Sequence, residues 1–149
     1  MKKVLLSSVC AAALALGMVA CGNGKRADKA SDTVSRHYVG TLPAADGPGI
    51  VYDLTLYNLY EDSLSGDFAL SMTYLEAENG KDAKFNSEGQ WTAVQGIPGN
   101  QSAVYYQLIE SGVQPDTTNF LFLGDSVVLL GNGLQPAQSN LNYTLILED

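Results

Sequence analysis

Apolar and polar residues alternate along most of the sequence after residue 36. The clearest run is 67–75, where every second side chain is apolar: Phe68, Leu70, Met72 and Tyr74. The same period recurs at 50–60 and at 141–147. A period of two places alternate side chains on opposite faces of a β-strand, and no stretch shows a competing helical period of useful length. The pattern therefore predicts an all-β domain.

Clusters of glycine, proline, asparagine and aspartate separate the alternating runs and predict turns. The turns are expected at 45–49, 62–66, 79–80, 87–89, 96–100, 112–116, 124–125 and 131–140. The predicted strands lie near 37–42, 50–60, 67–75, 84–94, 102–110, 118–123, 126–130 and 141–147. About eight strands joined by short turns favour a small antiparallel up-and-down β-barrel, because closure removes exposed sheet edges. A β-sandwich is the alternative.

Strand faces also predict the core of this domain. Trp91 lies on the central predicted strand, and Leu54, Phe68 and Leu145 lie on the apolar faces of three others. Large aromatic and branched apolar side chains are the residues most often buried. We therefore expect these four side chains to be largely buried.

The first twenty residues have the features of an export signal. Lys2 and Lys3 precede an almost unbroken run of apolar and small residues over 4–19. That run has the length of a secretory signal and lacks the flanks of a membrane-spanning helix. It ends in Met-Val-Ala-Cys at 18–21, the pattern of a lipobox. We therefore predict a lipoprotein signal peptide at 1–20 and lipidation, including palmitate-type acyl chains, at Cys21. An ordinary signal peptide cut near Ala20 is the alternative.

Residues 21–35 are predicted to join this anchor to the folded domain. The segment after Cys21 is short, polar and free of aromatic residues, so it cannot bury enough surface to fold. Fourteen flexible residues have a root-mean-square reach of roughly 20 Å and extend to about 45 Å at most. The domain is accordingly predicted over 36–149, close to a membrane. Gly22, rather than aspartate, after the lipidated cysteine favours the outer membrane.

Charge and cysteine usage exclude several functions. All 16 acidic residues follow Cys21, together with six of the 8 Lys and Arg, which gives the processed chain a net charge of about −10. Such a surface repels nucleic acid and anionic headgroups. Cys10 lies in the signal and Cys21 carries the lipid, so the processed domain has no disulfide and no thiolate metal site.

Few residues of the predicted domain suit catalysis or metal binding. Copper(I) prefers thiolate, thioether or imidazole ligands, and the domain offers only Met72 and His37. We expect Met72 to fill the core and His37 to be solvated or locally bonded. No calcium-loop motif, G-x-S-x-G elbow or thiol–histidine pair is present. The sequence therefore predicts a protein that is not an enzyme and uses no cofactor or metal.

One loop stands out as a candidate contact site. Pro43 and Pro48 restrict the backbone of the segment 42–49, while Gly47 permits positive φ, so the loop should have a fixed shape. Its contact residues for a partner or ligand would be Pro43, Ala44, Asp46, Gly47 and Pro48. The alternative is that the loop only closes or borders one end of the barrel.

The same stretch resembles the start of a known family. Residues 37–50 read H-Y-V-G-T-L-P-A-A-D-G-P-G-I, and the NlpE family of copper-resistance lipoproteins typically reads Y-x-G-x-L-P-C-A-D-C-x-G-I at this place. Further matches follow in order at 74–75, at Phe85 with Gly89 and Trp91, at 105–106 and at 141–145. They span the predicted domain. The resemblance implies an outer-membrane lipoprotein whose small barrel is lipocalin-like, with roles in envelope stress sensing, surface adhesion or copper tolerance.

Two departures from the family weaken the roles that the resemblance implies. Ala44 and Gly47 stand where the family has its paired cysteines. Longer members also carry a second, C-terminal domain, whereas this sequence ends directly after the predicted barrel. We therefore expect the fold to carry over and copper binding not to.

Two classes of function fit these observations. The first is a non-catalytic interaction or stress-sensing module, held to a membrane by its lipid and contacting another envelope protein. The second is a lipocalin-like carrier of a small ligand, because an eight-stranded barrel can enclose one. A filled interior favours the first and an open apolar cavity the second. The sequence does not fix the oligomeric state.

Overall fold

Each alternating run of the sequence forms a β-strand. The computed structural model describes residues 34–148, which contain no helix and therefore none that could cross a membrane. The strands are β1 (Arg36–Leu42), β2 (Ile50–Leu56), β3 (Ser65–Glu78), β4 (Lys81–Ile97), β5 (Asn100–Glu110), β6 (Thr117–Phe122), β7 (Ser126–Leu129) and β8 (Thr144–Glu148). They confirm the predicted all-β fold.

The eight strands close into an antiparallel barrel in chain order. Every strand pairs with its sequence neighbours, and β8 pairs back to β1 through Tyr38 opposite Leu147. Closure satisfies the backbone groups that the first and last strands of an open sheet would leave unpaired. The predicted up-and-down barrel is confirmed, and the sandwich alternative is wrong.

Antiparallel order divides the connections between two ends of the barrel. One end, here called the rim, carries the loop 43–49, the β3–β4 turn at 79–80, the loop 111–116 and the loop 130–143. The other end, here called the base, carries the start of β1, the loop 57–64 and the turns at 98–99 and 123–125. The Asn79-Gly80 turn has positive φ at both residues, 51° and 74°, as a tight hairpin requires.

Three local predictions were wrong, each for a physical reason. β2 ends at Leu56 rather than 60, because Asn58 adopts a left-handed conformation with φ 59°. β8 begins at Thr144 rather than 141, because the Asn142 side chain bonds to the backbone of Thr144 and of Thr41 instead of extending the strand. No turn interrupts β4 at 87–89: Gly89 lies in the strand, where a Cβ would collide with the Ile109 carbonyl oxygen.

The interior of the barrel is one apolar cluster centred on Trp91. Trp91, Leu54 and Leu145 are fully buried and Phe68 is 2% exposed, as predicted. The indole Nε1 of Trp91 donates a hydrogen bond of 2.9 Å to the carbonyl oxygen of Tyr57, in the loop between β2 and β3. The remaining buried members of the cluster are Tyr38, Leu42, Leu56, Leu70, Tyr106, Leu108, Phe120 and Val127.

Glycine at position 66 makes this arrangement possible. Gly66 lies opposite Trp91 in the β3–β4 pairing. A Cβ at this position would lie 2.7 Å from the indole Nε1 and would collide with the Tyr57 carbonyl oxygen. Since real Cβ atoms do not approach so closely, the Trp91 ring can reach its acceptor only across a glycine.

Replacing Trp91 with alanine should lower the free energy of unfolding by about 3–5 kcal/mol, because it leaves a large cavity and removes the only hydrogen bond recorded to that carbonyl in residues 34–148. Urea denaturation followed by circular dichroism measures the loss. Trp91→Phe is the matched control: it keeps most of the ring and should cost about 1–3 kcal/mol through the unpaired carbonyl oxygen. A loss below about 1 kcal/mol for Trp91→Ala would show that the ring does not hold the core.

Candidate functional site

Side chains of the barrel occupy its own interior. Aromatic rings make edge-to-face contacts there, with Trp91 and Tyr106 at 5.4 Å and Tyr52 and Phe120 at 6.4 Å between ring centroids. Such contacts fill space with fixed geometry. Three grooves of the described residues lie at the rim and on the outer wall of the barrel.

Two of the phenols inside the barrel, those of Tyr38 and Tyr106, lie close enough to influence each other. Burial, together with the nearby phenol of Tyr38, raises the pKa of Tyr106 to about 12, although the positive charge of Arg36 acts in the opposite direction. The Arg36 guanidinium lies 5.9 Å from the centroid of the Phe122 ring. The hydroxyl of Tyr38 is buried and has no hydrogen-bond partner. The raised pKa of Tyr106 and the buried hydroxyl of Tyr38 both indicate that water has little access to this part of the interior.

A concave surface at the rim forms a groove beside the β3–β4 hairpin. It has a volume of about 620 Å³. Apolar side chains form its floor, and the rings of Tyr74 and Phe85 meet edge to face at 5.5 Å. Phe85 is 55% exposed. We call this surface the rim groove; its residues are Met72, Tyr74, Ala77, Glu78, Ala83, Phe85, Asn86, Ser87, Glu110 and Asp116.

Charge in the rim groove is of one sign. Glu78 comes from the end of β3, Glu110 from the end of β5, and Asp116 from the loop before β6. The residues that line the groove include no lysine or arginine. An apolar floor with carboxylates at its edges favours ligands that combine apolar surface with positive charge.

The predicted contact loop lies at the same end but outside the groove. Pro43 and Ala44 are half-buried, whereas Asp46, Gly47 and Pro48 are exposed. The loop packs against the far edge of β3, where the N–H of Leu75 donates a 3.0 Å hydrogen bond to the carbonyl oxygen of Gly49. The loop therefore borders the rim, and its role as a contact site stays a prediction.

The candidate soft metal ligands are far from forming a site together. Met72 is partly buried against the core cluster, as expected. His37 lies on the outer wall, where its Nε2 is 2.8 Å from Oδ1 of Asp53 and its Nδ1 is 3.8 Å from Oε2 of Glu148. It is therefore locally bonded, as expected. No group of three or more histidine, cysteine or acidic side chains in residues 34–148 is placed to hold a metal ion.

Comparison with known protein families matches residues 38–140 to the NlpE N-terminal domain. This match covers more than half of the chain. The protein belongs to the NlpE family. Members are non-enzymatic lipoprotein domains of the cell envelope, and membership supports a place in the envelope for this protein. Comparison with curated proteins and with solved structures gave no significant match.

Membership confirms the resemblance seen in residues 37–50 and places the NlpE domain on the barrel. The predicted signal peptide at 1–20 and the lipidation of Cys21 lie outside the described residues. Sequence reasoning missed the rim groove. Its floor residues Met72, Tyr74 and Phe85 follow the inward-facing pattern of the core, and only the unequal strand lengths show that this part of the face is uncovered.

Unmodified protein should not retain copper(I), because the two positions that carry cysteine in the family are Ala44 and Gly47. Introducing cysteine at both positions should also destabilise the fold. Gly47 has φ +131°, and its Cβ would lie 3.0 Å from the carbonyl oxygen of Leu75. We expect Gly47→Cys to cost about 1–3 kcal/mol of stability.

Competition against a copper(I) chelator checks this expectation, using a chain that begins at residue 22 so that Cys10 and Cys21 contribute no thiol. Ala44→Cys alone is the control for the double variant with Gly47→Cys. Stoichiometric retention of copper by the unmodified chain would show that a site exists outside the ligands considered.

Proposed function

We propose that this protein is an outer-membrane lipoprotein of NlpE type, anchored through Cys21, whose barrel binds another envelope protein at its rim as an interaction or stress-sensing module. The position of the rim groove relative to the start of the domain carries the proposal. Family membership supports the envelope, and the lipobox sequence supports the anchor.

The chain enters the barrel at the base. β1 starts there at Arg36, and the carbonyl oxygen of Val34 accepts a 2.9 Å hydrogen bond from the N–H of Leu59, in the base loop. A tether leading from Cys21 therefore reaches the domain at the end opposite the rim. Anchoring at one end leaves the other end the more accessible to a partner in the envelope.

A filled interior supports interaction rather than transport of a small ligand. A carrier of lipocalin type needs an open apolar cavity inside the barrel. Here Trp91, Tyr106 and Phe120 are packed within one cluster in that space. The surfaces left for recognition are on the outside of the barrel, and the rim groove combines an apolar floor with acidic side chains at its edges.

Site-specific photo-cross-linking in intact cells tests the proposal. A photoreactive phenylalanine at Phe85 should give a discrete adduct with another envelope protein. The same residue at Ile146, on the outer wall, is the matched control because both native side chains are 55% exposed. Cys21→Ala should leave an unprocessed precursor, or release the folded domain if another site is cut, and in either case the Phe85 adduct should be lost because stable anchoring of the processed protein needs the acyl chains.

Equal adducts at Phe85 and Ile146 would show that the rim is not a specific surface. Unchanged processing and membrane fractionation of Cys21→Ala would contradict the anchor.

A further inference from the structure

The β3–β4 hairpin is longer than the strands on either side of it. β3 and β4 pair from Ser65 opposite Thr92 to Glu78 opposite Lys81. On its other side, β4 pairs with β5 only from Gly89 onward, opposite Glu110. Residues 81–88 of β4 therefore have a strand neighbour on one side only, and this open edge borders the rim groove.

Hydrogen-bond donors and acceptors of β4 alternate between its two sides. The carbonyl oxygen of Glu88 accepts a 2.9 Å hydrogen bond from the N–H of Ser111, on the β5 side. In a regular strand, every second residue directs its backbone groups the same way. Lys84 and Asn86 therefore direct their N–H and C=O groups toward the open edge. No backbone hydrogen bond outside the β3–β4 ladder uses either residue within 34–148.

Side chains of an added strand would enter the rim groove at alternate positions. The inner face of β4 presents Ala83 and Phe85, beside Tyr74, and Glu110 and Asp116 stand across the groove. Long basic side chains suit this surface, because their aliphatic parts can cover the rings while their charged ends reach the carboxylates.

A second copy of the same chain is a poorer occupant. Each copy would bring the same acidic groove and a processed charge of about −10. Lys81 and Lys84 lie on the edge itself, where lysine discourages pairing between identical strands. Charge complementarity therefore selects a basic partner over self-association.

We infer that the open edge of β4 at Lys84 and Asn86 binds an extended, basic segment of a partner protein, which adds a strand to the barrel and places arginine or lysine side chains in the rim groove. The inference rests on the proposed function and names the chemistry of the partner. Strand addition of this kind draws affinity from backbone hydrogen bonds and specificity from alternate side chains.

A backbone substitution separates this binding mode from simple charge attraction. Lys84→Pro removes the N–H that faces the open edge and leaves the β3–β4 hydrogen bonds intact, a position where proline is tolerated. Lys84→Ala removes the same side chain and keeps the N–H. The probe is a labelled peptide in which arginine alternates with threonine, measured by fluorescence anisotropy against the full chain in detergent.

Lys84→Pro should bind the peptide about tenfold more weakly than Lys84→Ala, the loss expected for a missing hydrogen bond. The unmodified chain should also bind an N-methylated version of the peptide about tenfold more weakly, a comparison that does not depend on how the variant folds. Equal affinities in both comparisons, or no binding of the peptide at all, would overturn the inference.

Charge is tested by Glu110→Gln in the groove against Glu61→Gln in the base loop, which removes the same charge elsewhere. Only Glu110→Gln should weaken binding, and a peptide alternating glutamate with threonine should not bind. Equal effects of the two variants would overturn the assignment of a basic partner.

Self-association that Lys84→Pro abolishes would assign the edge to a second copy instead. An adduct at Phe85 in cells that survives Lys84→Pro would reject the edge while leaving the proposed function in place.

Discussion

The Trp91 indole joins three strands of the barrel, β3, β4 and β5, to the loop between β2 and β3. Its ring lies on β4, faces Gly66 on β3 and donates a hydrogen bond to the loop that joins β2 to β3. The bond holds the base loop against the interior, while the ring contacts Tyr106 on β5. Since burial of a large aromatic ring is among the strongest stabilising contributions in a small domain, this one side chain favours the observed register of these strands.

That register also determines the shape of the rim. With Trp91 opposite Gly66 at the base, the long strands β3 and β4 have their surplus residues at the opposite end. β5 is shorter and leaves β4 after Gly89. In this register the hairpin projects beyond β5, and the projecting part carries the same inward alternation of apolar residues without a strand to cover it. Packing near one end of the barrel is thus accompanied by an uncovered groove at the other.

Much of the fold could be predicted from the sequence because period two and turn chemistry are local signals. Strand number, chain order and the burial of Trp91 followed from them. Two errors arose from contacts with distant backbone: the Asn142 side chain bonds to Thr41, and Gly89 leaves room for the carbonyl oxygen of Ile109. The third arose from the left-handed backbone of Asn58. The rim groove could not be predicted, because the alternation at Met72 and Tyr74 is the same whether or not a neighbouring strand covers it.

The central claim is that the barrel is packed but that residues 81–88 of β4 have an uncovered edge. Amide hydrogen exchange, measured by NMR for each residue, tests this claim most directly. The amides of Phe85 and Ser87, which face β3, should be strongly protected, whereas those of Lys84 and Asn86, on the same strand, should exchange at nearly the rate of an unstructured peptide. Equal protection of all four amides would show that the edge of β4 is covered and would contradict this description of the rim.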